Sequence, residues 1–546
     1  MPMPHRARHR LSDLQVFPIN ALPAAQLVSA GIDLLCHDRS LKSEAVRRYY
    51  DQVAADLLFF FSDIAIQAEA MGAPVRFAAD EMPAVKAPAG TIHTPRADQV
   101  PRMVLNGQVV RDMRGAFAHR AIAAQVYGPF TVAGQLAGEQ TLLRQVREAP
   151  DQVHGLLAKA TQMAQAYAGL LLEAGADVLW ISDPLAALLP PAAFEAFAGR
   201  YLRRILQLRP DGRTILHVCG DVSDLLAPMV ATGAGGISFD QCMALMAVED
   251  QVPDEVALIG NLDPVEGVAM ASTETVAAAT RELAGTMAIR SNFVLSTGCA
   301  LPPATPLDNI KSFVDSGHAQ LARMRPHATH LAVLAAAVAA GDEAATSAAI
   351  EQGQAAGQDP YLLLDAGLVR AVRQASARYE AKKCYLPEML LTVDAFYRGI
   401  ARLNAWMPPR KRSGPRVVLG TVRGDLHAIG KDLVRIMLEA NGFDVLDLGV
   451  DVPDEQFLAA VQDNRCPIVG LSAFVTTARR RLPALIKAIR GSGGHGVRVI
   501  VGGAAVNTAI AAEAGADGYA REAVAAVKLA GRLATEAGGG GHAGCH

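Results

Sequence analysis

The spacing of apolar positions changes character twice along the chain. From about residue 110 to residue 300, short continuous apolar runs end in polar or special residues: Val178–Asp183 (VLWISD), Thr214–Gly220 (TILHVCG), Gly236–Gln241 (GISFDQ), Val256–Pro264 (VALIGNLDP) and Asn292–Cys299 (NFVLSTGC). Stretches of helical period, such as Ala192–Leu208 and Thr273–Met287, lie between most of them. Continuous apolar runs mark strands buried on both faces, and their alternation with helices marks a parallel sheet. The number of repeats and the length favour a (β/α)8 TIM barrel over a doubly wound sheet. The polar residues that follow each strand then share one rim, where the reactive groups of such barrels sit.

From about residue 326 to 410 the strand pattern stops. Ala-rich runs carry Leu and Val at intervals of three and four, which predicts a small bundle of about four helices, with Tyr385–Ile400 its most structured part. Met407–Pro415 (MPPRKRSGP) reads as a linker. Strands return at Arg416–Val422, Asp444–Gly449, Ile468–Ala473 and Val497–Gly503, with a short fifth within Gly515–Ala520. Helices separate them; in Ile429–Glu439, residues Ile429, Leu433, Ile436 and Met437 mark one face. This predicts a Rossmann-like (flavodoxin-like) α/β sheet, which binds ligands beyond the carboxyl ends of its strands. The expected domains are therefore 1–325, 326–410 and 415–535, with a disordered tail over 536–546.

Composition narrows the function classes. At 546 residues the chain needs several domains, and 51% apolar residues supply their cores. A net charge of -3 argues against a nucleic-acid partner, and the run Arg479–Arg481 reads as a solvated helix face. The seven cysteines (Cys36, Cys219, Cys242, Cys299, Cys384, Cys466 and Cys545) are spread widely, which fits a reducing compartment better than a disulfide scaffold. No apolar segment follows the basic N-terminus as in a signal peptide, and the Ala-rich stretch His330–Ala340 is too short to span a bilayer. The expectation is a soluble, cytoplasmic protein with no membrane partner.

Two groups of residues carry chemistry. His217-x-Cys219 ends one predicted strand and Cys299 ends another. A barrel brings strand ends together, and one imidazole with two thiolates is a good donor set for zinc, leaving a fourth position for substrate or water. Spacing alone leaves open that the three are core residues. Asp183 and Asp240, also at strand ends, would orient a substrate or a zinc ligand, or simply cap their loops. In the last region the first strand leads into Asp425-x-His427-x-x-Gly430. A His at a helix start can offer one nitrogen to a metal while a nearby carboxylate takes the proton of the other. Gly430 would let a large flat group approach the backbone. This loop has no G-x-G-x-x-G or Walker pattern, which argues against a nucleotide or flavin.

Asp425-x-His427-x-x-Gly430, with Ser472 after the third strand and Gly502-Gly503 after the fourth, resembles the B12-binding domain of methionine synthase and of methyltransferase corrinoid proteins. The resemblance implies that His427 is the lower cobalt ligand of a cobalamin. The cofactor's displaced tail would enter a pocket lined by Ser472, Thr476, Gly502 and Gly503, and the helical region would be the cap over the corrin. Phe474 stands where many relatives have Leu, and is expected to narrow that pocket. His217–Asp221 (HVCGD), Ser296–Ile310 (STGCALPPATPLDNI), Ile181–Ala186 and Gly260–Pro264 resemble the zinc-dependent cobamide methyltransferases of the uroporphyrinogen decarboxylase superfamily. That resemblance implies zinc at His217, Cys219 and Cys299, and places Tyr127 at the barrel mouth.

The order of the two halves resembles the chloromethane methyltransferase family of methylotrophic bacteria. It implies transfer of a methyl group from a small halomethane-like donor to the bound cob(I)alamin. The implied partners are a second methyltransferase serving tetrahydrofolate or a thiol, and a reductive activator of the corrinoid. A methylcobamide:thiol, methylamine or methanol methyltransferase, a corrinoid sensor or store, and a porphyrinogen decarboxylase are the alternatives.

Overall fold

The computed structural model describes residues 11–406, 414–464, 467–491, 496–503, 505–520 and 523–538. Cys466, Cys545, most of the expected linker and the glycine-rich tail from residue 539 lie outside the described residues, as do the side chains of Ile429, Leu433 and Ile436. The chain divides into two compact units, residues 1–329 and 330–546.

Eight parallel strands build the first unit: β1 (Val16–Phe17), β2 (Leu57–Leu58), β3 (Ala121–Tyr127), β4 (Val178–Ser182), β5 (Thr214–His217), β6 (Gly236–Ser238), β7 (Ala257–Leu262) and β8 (Phe293–Thr297). They pair in the order β1-β8-β7-β6-β5-β4-β3-β2, a nearly closed barrel. Between β1 and β2 the seam is joined by Asp56. Its N–H donates to the Val16 carbonyl at 3.0 Å, and its Oδ2 accepts the N–H groups of Gln15 and Val16, each at 2.8 Å. Burial raises the Asp56 pKa, but His318 Nε2 at 3.0 Å and these N–H donors outweigh it, and the net shift is downward. The barrel is filled rather than hollow: Trp180 of β4 packs edge-on to Phe17 and Phe59, with ring centroids 6.2 and 5.2 Å away.

The structure adds what apolar runs of useful length do not reveal. β1 and β2 have two residues each and precede residue 110, where the recognisable alternation begins. The expected helix Ala192–Leu208 starts at Pro191 and contains a π-turn over Glu195–Gly199, whereas the helix Thr273–Met287 has the expected ends, capped by Ser272.

In the second unit, four helical stretches come first: Ala328–Ala339 (which begins two residues before the unit boundary), Glu343–Ala355, Pro360–Glu380 with a π-turn inside it, and Leu386–Asn404. Asp342 and Asp359 cap the second and third by accepting the N–H groups of Ala345 and Tyr361. The sheet follows: β9 (Arg416–Thr421), β10 (Asp444–Asp447), β11 (Ile468–Ser472), β12 (Arg498–Gly502) and β13 (Gly518–Ala520), all parallel, in the order β10-β9-β11-β12-β13. Apolar cores cover both faces, one around Val418, Phe457 and Leu485, the other around Leu419, Leu438 and Leu529. This flavodoxin-like order reverses direction between β9 and β11, so a crevice opens where those strands end. The helices touch the sheet domain where Arg373 donates to Asn441 Oδ1 at 2.6 Å and where Arg435 lies over the Tyr397 ring.

Candidate metal and corrinoid sites

Two barrel strands deliver the thiol–imidazole cluster. His217 is the last residue of β5, Cys219 follows two positions later, and Cys299 lies just beyond β8. Their ligating atoms all fall within 4.8 Å of one another. His217 Nε2 is 3.2 Å from Cys219 Sγ, and its Nδ1 is 3.0 Å from Ser238 Oγ. Ser238 is the ladder partner of His217 on β6, so sheet register places the hydroxyl beside the ring. Trp180 stacks on the other side, with centroids 6.0 Å apart and planes 29° apart. Cys299 is held well below the usual thiol range, first by a hydrogen bond from Cys219 and then, against burial, by His217. The same bond, reinforced by burial, pushes the Cys219 thiol up. Two sulfurs and a ring with a fixed second nitrogen form a soft donor set within the reach of one zinc ion.

The neighbouring rim residues divide by role. Tyr127, the last residue of β3, is buried with its hydroxyl 3.4 Å from the Ser62 carbonyl. Burial pushes its phenol up, and Asp63, Cys299 and Cys219 add to the effect, so it stays protonated. The Asp183 carboxylate is bound into a helix start. It accepts Thr131 N–H at 2.8 Å, Thr131 Oγ1 at 2.6 Å and Phe130 N–H at 3.4 Å, all at the N-terminus of Pro129–Ala137. Burial pushes Asp183 up to about 6 against these donors. Gly128 makes the approach possible, because a Cβ there would lie 2.2 Å from the carboxylate. Of the two roles the sequence left open for Asp183, these contacts are those of capping. Asp240 also serves its loop: Oδ1 accepts Cys242 N–H at 3.1 Å, and its carbonyl accepts Asn261 Nδ2 at 2.9 Å. Cys242 is exposed and stands outside the cluster.

Beyond β9, Asp425 is buried and His427 is half exposed. His427 Nδ1 bonds Asp425 Oδ1 at 2.7 Å, which leaves Nε2 for a metal. The carboxylate also accepts the backbone N–H of His427 at 3.0 Å and those of Phe474 and Val475, so it bridges the loops after β9 and β11 across the point of reversal. Burial alone would raise the pKa of Asp425, but these donors reverse the sign and keep it ionised. Gly430 and Gly424 face open space, where an added Cβ would meet nothing within 4 Å. A half-exposed imidazole with one nitrogen already held and glycines opening around it fits a corrinoid.

The expected pocket-lining residues are less uniform. Ser472, the last residue of β11, is half-buried, and Thr476 is exposed at the start of a short helix. The glycine pair answers to packing: a Cβ on Gly502 would lie 2.8 Å from the Ala520 carbonyl oxygen. One on Gly503, at φ +106°, would lie 2.3 Å from that of Ala473. Phe474 stacks on His427, with ring centroids 4.2 Å apart. Ser238, Trp180 and Gly128 were missed by sequence reasoning; only Ser238 carried a signal, as a polar residue near the end of a predicted strand.

A parallel barrel with a metal-type cluster on its rim, followed by a flavodoxin-like sheet with a carboxylate-backed histidine at its reversal, defines a barrel enzyme scaffold joined to a corrinoid-binding module. The uroporphyrinogen decarboxylase (URO-D) family model matches residues 21–320, more than half of the chain, and the chain belongs to that family. B12 binding domain models match residues 331–404 and 415–528. The C-terminal part is 36% identical over 179 residues to the dimethylamine corrinoid protein of Methanosarcina barkeri, covering 32% of this chain and 84% of that one. It is 35% identical over 196 residues to trimethylamine corrinoid protein 1 of Methanosarcina mazei, covering 35% and 90%. A solved methyltransferase from Methanosarcina mazei shares the fold, with a TM-score of 0.51 at 22% identity over 56% of this chain and 94% of that one. Among the described residues no helix is long and apolar enough to cross a membrane.

Proposed function

We propose that the chain is a corrinoid-dependent methyltransferase, with zinc held by His217, Cys219 and Cys299 and cobalamin held by His427. One observation carries the reading: a single chain holds two metal-type donor sets. One has its ligating atoms within 4.8 Å, and the other is an imidazole bonded at Nδ1 to a buried carboxylate at 2.7 Å. Bound cobalamin supplies a cobalt that takes up and releases a methyl group, and bound zinc supplies the positive charge that holds a thiol as a thiolate.

The chain's own residues do the positioning. Asp425 takes the proton of His427 Nδ1 and so directs the Nε2 lone pair outward. Ser238 does the same for His217. Tyr127 offers a hydroxyl rather than a phenolate beside the thiols. Trp180, Phe17 and Phe59 fill the barrel below them and exclude water.

A halomethane-like compound is the proposed donor. Methylated amines are the second reading, favoured by the similarity to the dimethylamine and trimethylamine corrinoid proteins. The proposed partners are a second methyltransferase that serves tetrahydrofolate or a thiol, and a reductant that returns the corrinoid to its active state. The test is to load the chain with cobalamin, reduce it without oxygen, and offer chloromethane, methanol, methylamines and methyl thioethers in turn. Loss of the reduced corrinoid spectrum with one of them identifies the donor. No reaction with any would turn the reading round, to a barrel that methylates a thiol. Turnover of a porphyrinogen would overturn both readings in favour of decarboxylation.

A further inference from the structure

We propose that Phe474 is a positioning residue for the cobalt-binding imidazole; the proposal rests on His427 being the cobalt ligand. The two rings stack with centroids 4.2 Å apart and planes 22° apart. Phe474 is 49% exposed, so burial in a core does not account for its position. Its backbone is fixed by the same group that fixes the ligand. Asp425 Oδ2 accepts the Phe474 N–H, while Oδ1 accepts from His427 Nδ1 and from the His427 backbone N–H. One buried carboxylate therefore sets the ligand and the stacked ring together across the reversal between β9 and β11.

The geometry explains why both constraints are needed. An imidazole side chain turns about two bonds. The bond at Nδ1 stops the ring from flipping, but leaves it free to tilt about the line between Nδ1 and the carboxylate oxygen. A flat ring lying on one face removes that tilt. Nε2 is then aimed in one direction before any corrinoid arrives, so less ordering remains to be done on binding. Gly430 and Gly424, where an added Cβ would meet nothing within 4 Å, leave this loop uncrowded for a large group bound at Nε2.

The test uses the full chain loaded with cobalamin and reduced to the Co(II) form. Electron paramagnetic resonance of protein labelled with nitrogen-15 histidine separates a histidine ligand, which splits the signal into a doublet, from the cofactor's own base, which gives a triplet. Wild type should give the doublet, and His427→Ala should not. Phe474→Ala should give a mixture of ligated and unligated signals and bind aquocobalamin roughly 3- to 10-fold more weakly, as the loss of one aromatic contact implies. Phe474→Tyr should restore both. A Phe474→Ala protein with the unmixed wild-type doublet would overturn the proposal, even if its melting temperature fell, because lost packing alone does not change coordination. So would failure of Phe474→Tyr to restore the doublet. A wild-type chain without the doublet would instead remove the ligand assignment itself, a separate result from any effect of Phe474.

Discussion

Two histidines in this chain have Nδ1 held by different means. His427 has a buried carboxylate on its Nδ1, while His217 has only the Ser238 hydroxyl. A carboxylate makes the imidazole a stronger donor than a hydroxyl does, which would suit a lone protein ligand; a zinc ion at the thiol cluster would take most of its donation from the sulfurs. Purified protein is expected to hold about one zinc per chain. Cys219→Ala and Cys299→Ala should each abolish it in metal analysis, and full retention in both would end the zinc assignment. Ser238→Ala should keep the metal but weaken it by about 10-fold or more in a chelator competition, the usual effect of losing such a support. His427 was legible in the sequence because Asp425, His427 and Gly430 are local to one loop. Ser238 was not, because its partner lies on the next strand, and only the register of β5 and β6 makes them neighbours.

At the level of elements, strand ends do the assembling, and the seam of the barrel has its shortest strands. β1 and β2 are short and share Asp56 as their joint, with His318 behind it. The folded Asp56 has its pKa lowered, so its contribution to stability is complete above the unfolded carboxylate pKa. That contribution is lost as pH falls through the lower folded value. Asp56→Asn should cost about 1.5–3 kcal/mol, the range for hydrogen bonds to a charged group, and should flatten the acid limb of a melting temperature–pH profile. An unchanged acid limb would show that the seam is held elsewhere. Gly503→Ala should be costly as well: positive φ and contact with the Ala473 backbone together imply a loss of about 2 kcal/mol or more in denaturant unfolding. The longer strands and the helix Thr273–Met287 were legible because continuous apolar runs and a Ser cap are local signals. The two-residue strands carried no such signal, and only their partners define them.

For the molecule as a whole, the proposed function predicts that joining both donor sets in one chain should make methyl transfer first-order, with a rate per chain that does not depend on protein concentration. Mixing His427→Ala chains with Cys299→Ala chains should restore transfer only through collision. The rate per chain should then rise with concentration where the wild-type rate does not; equal dependence in the two cases would mean that transfer runs between chains. The sequence by itself determined the order of barrel, helices and flavodoxin-like sheet, and offered Asp425, His427 and Gly430 as a candidate constellation, because apolar period and short motifs are properties of neighbouring residues. Only the tertiary structure decided that Asp183 turns to a helix start, that Phe474 lies over His427, and that Ser238 supports His217. Each of these depends on which side chains meet across separate strands, and that is fixed by register and packing rather than by distance along the chain.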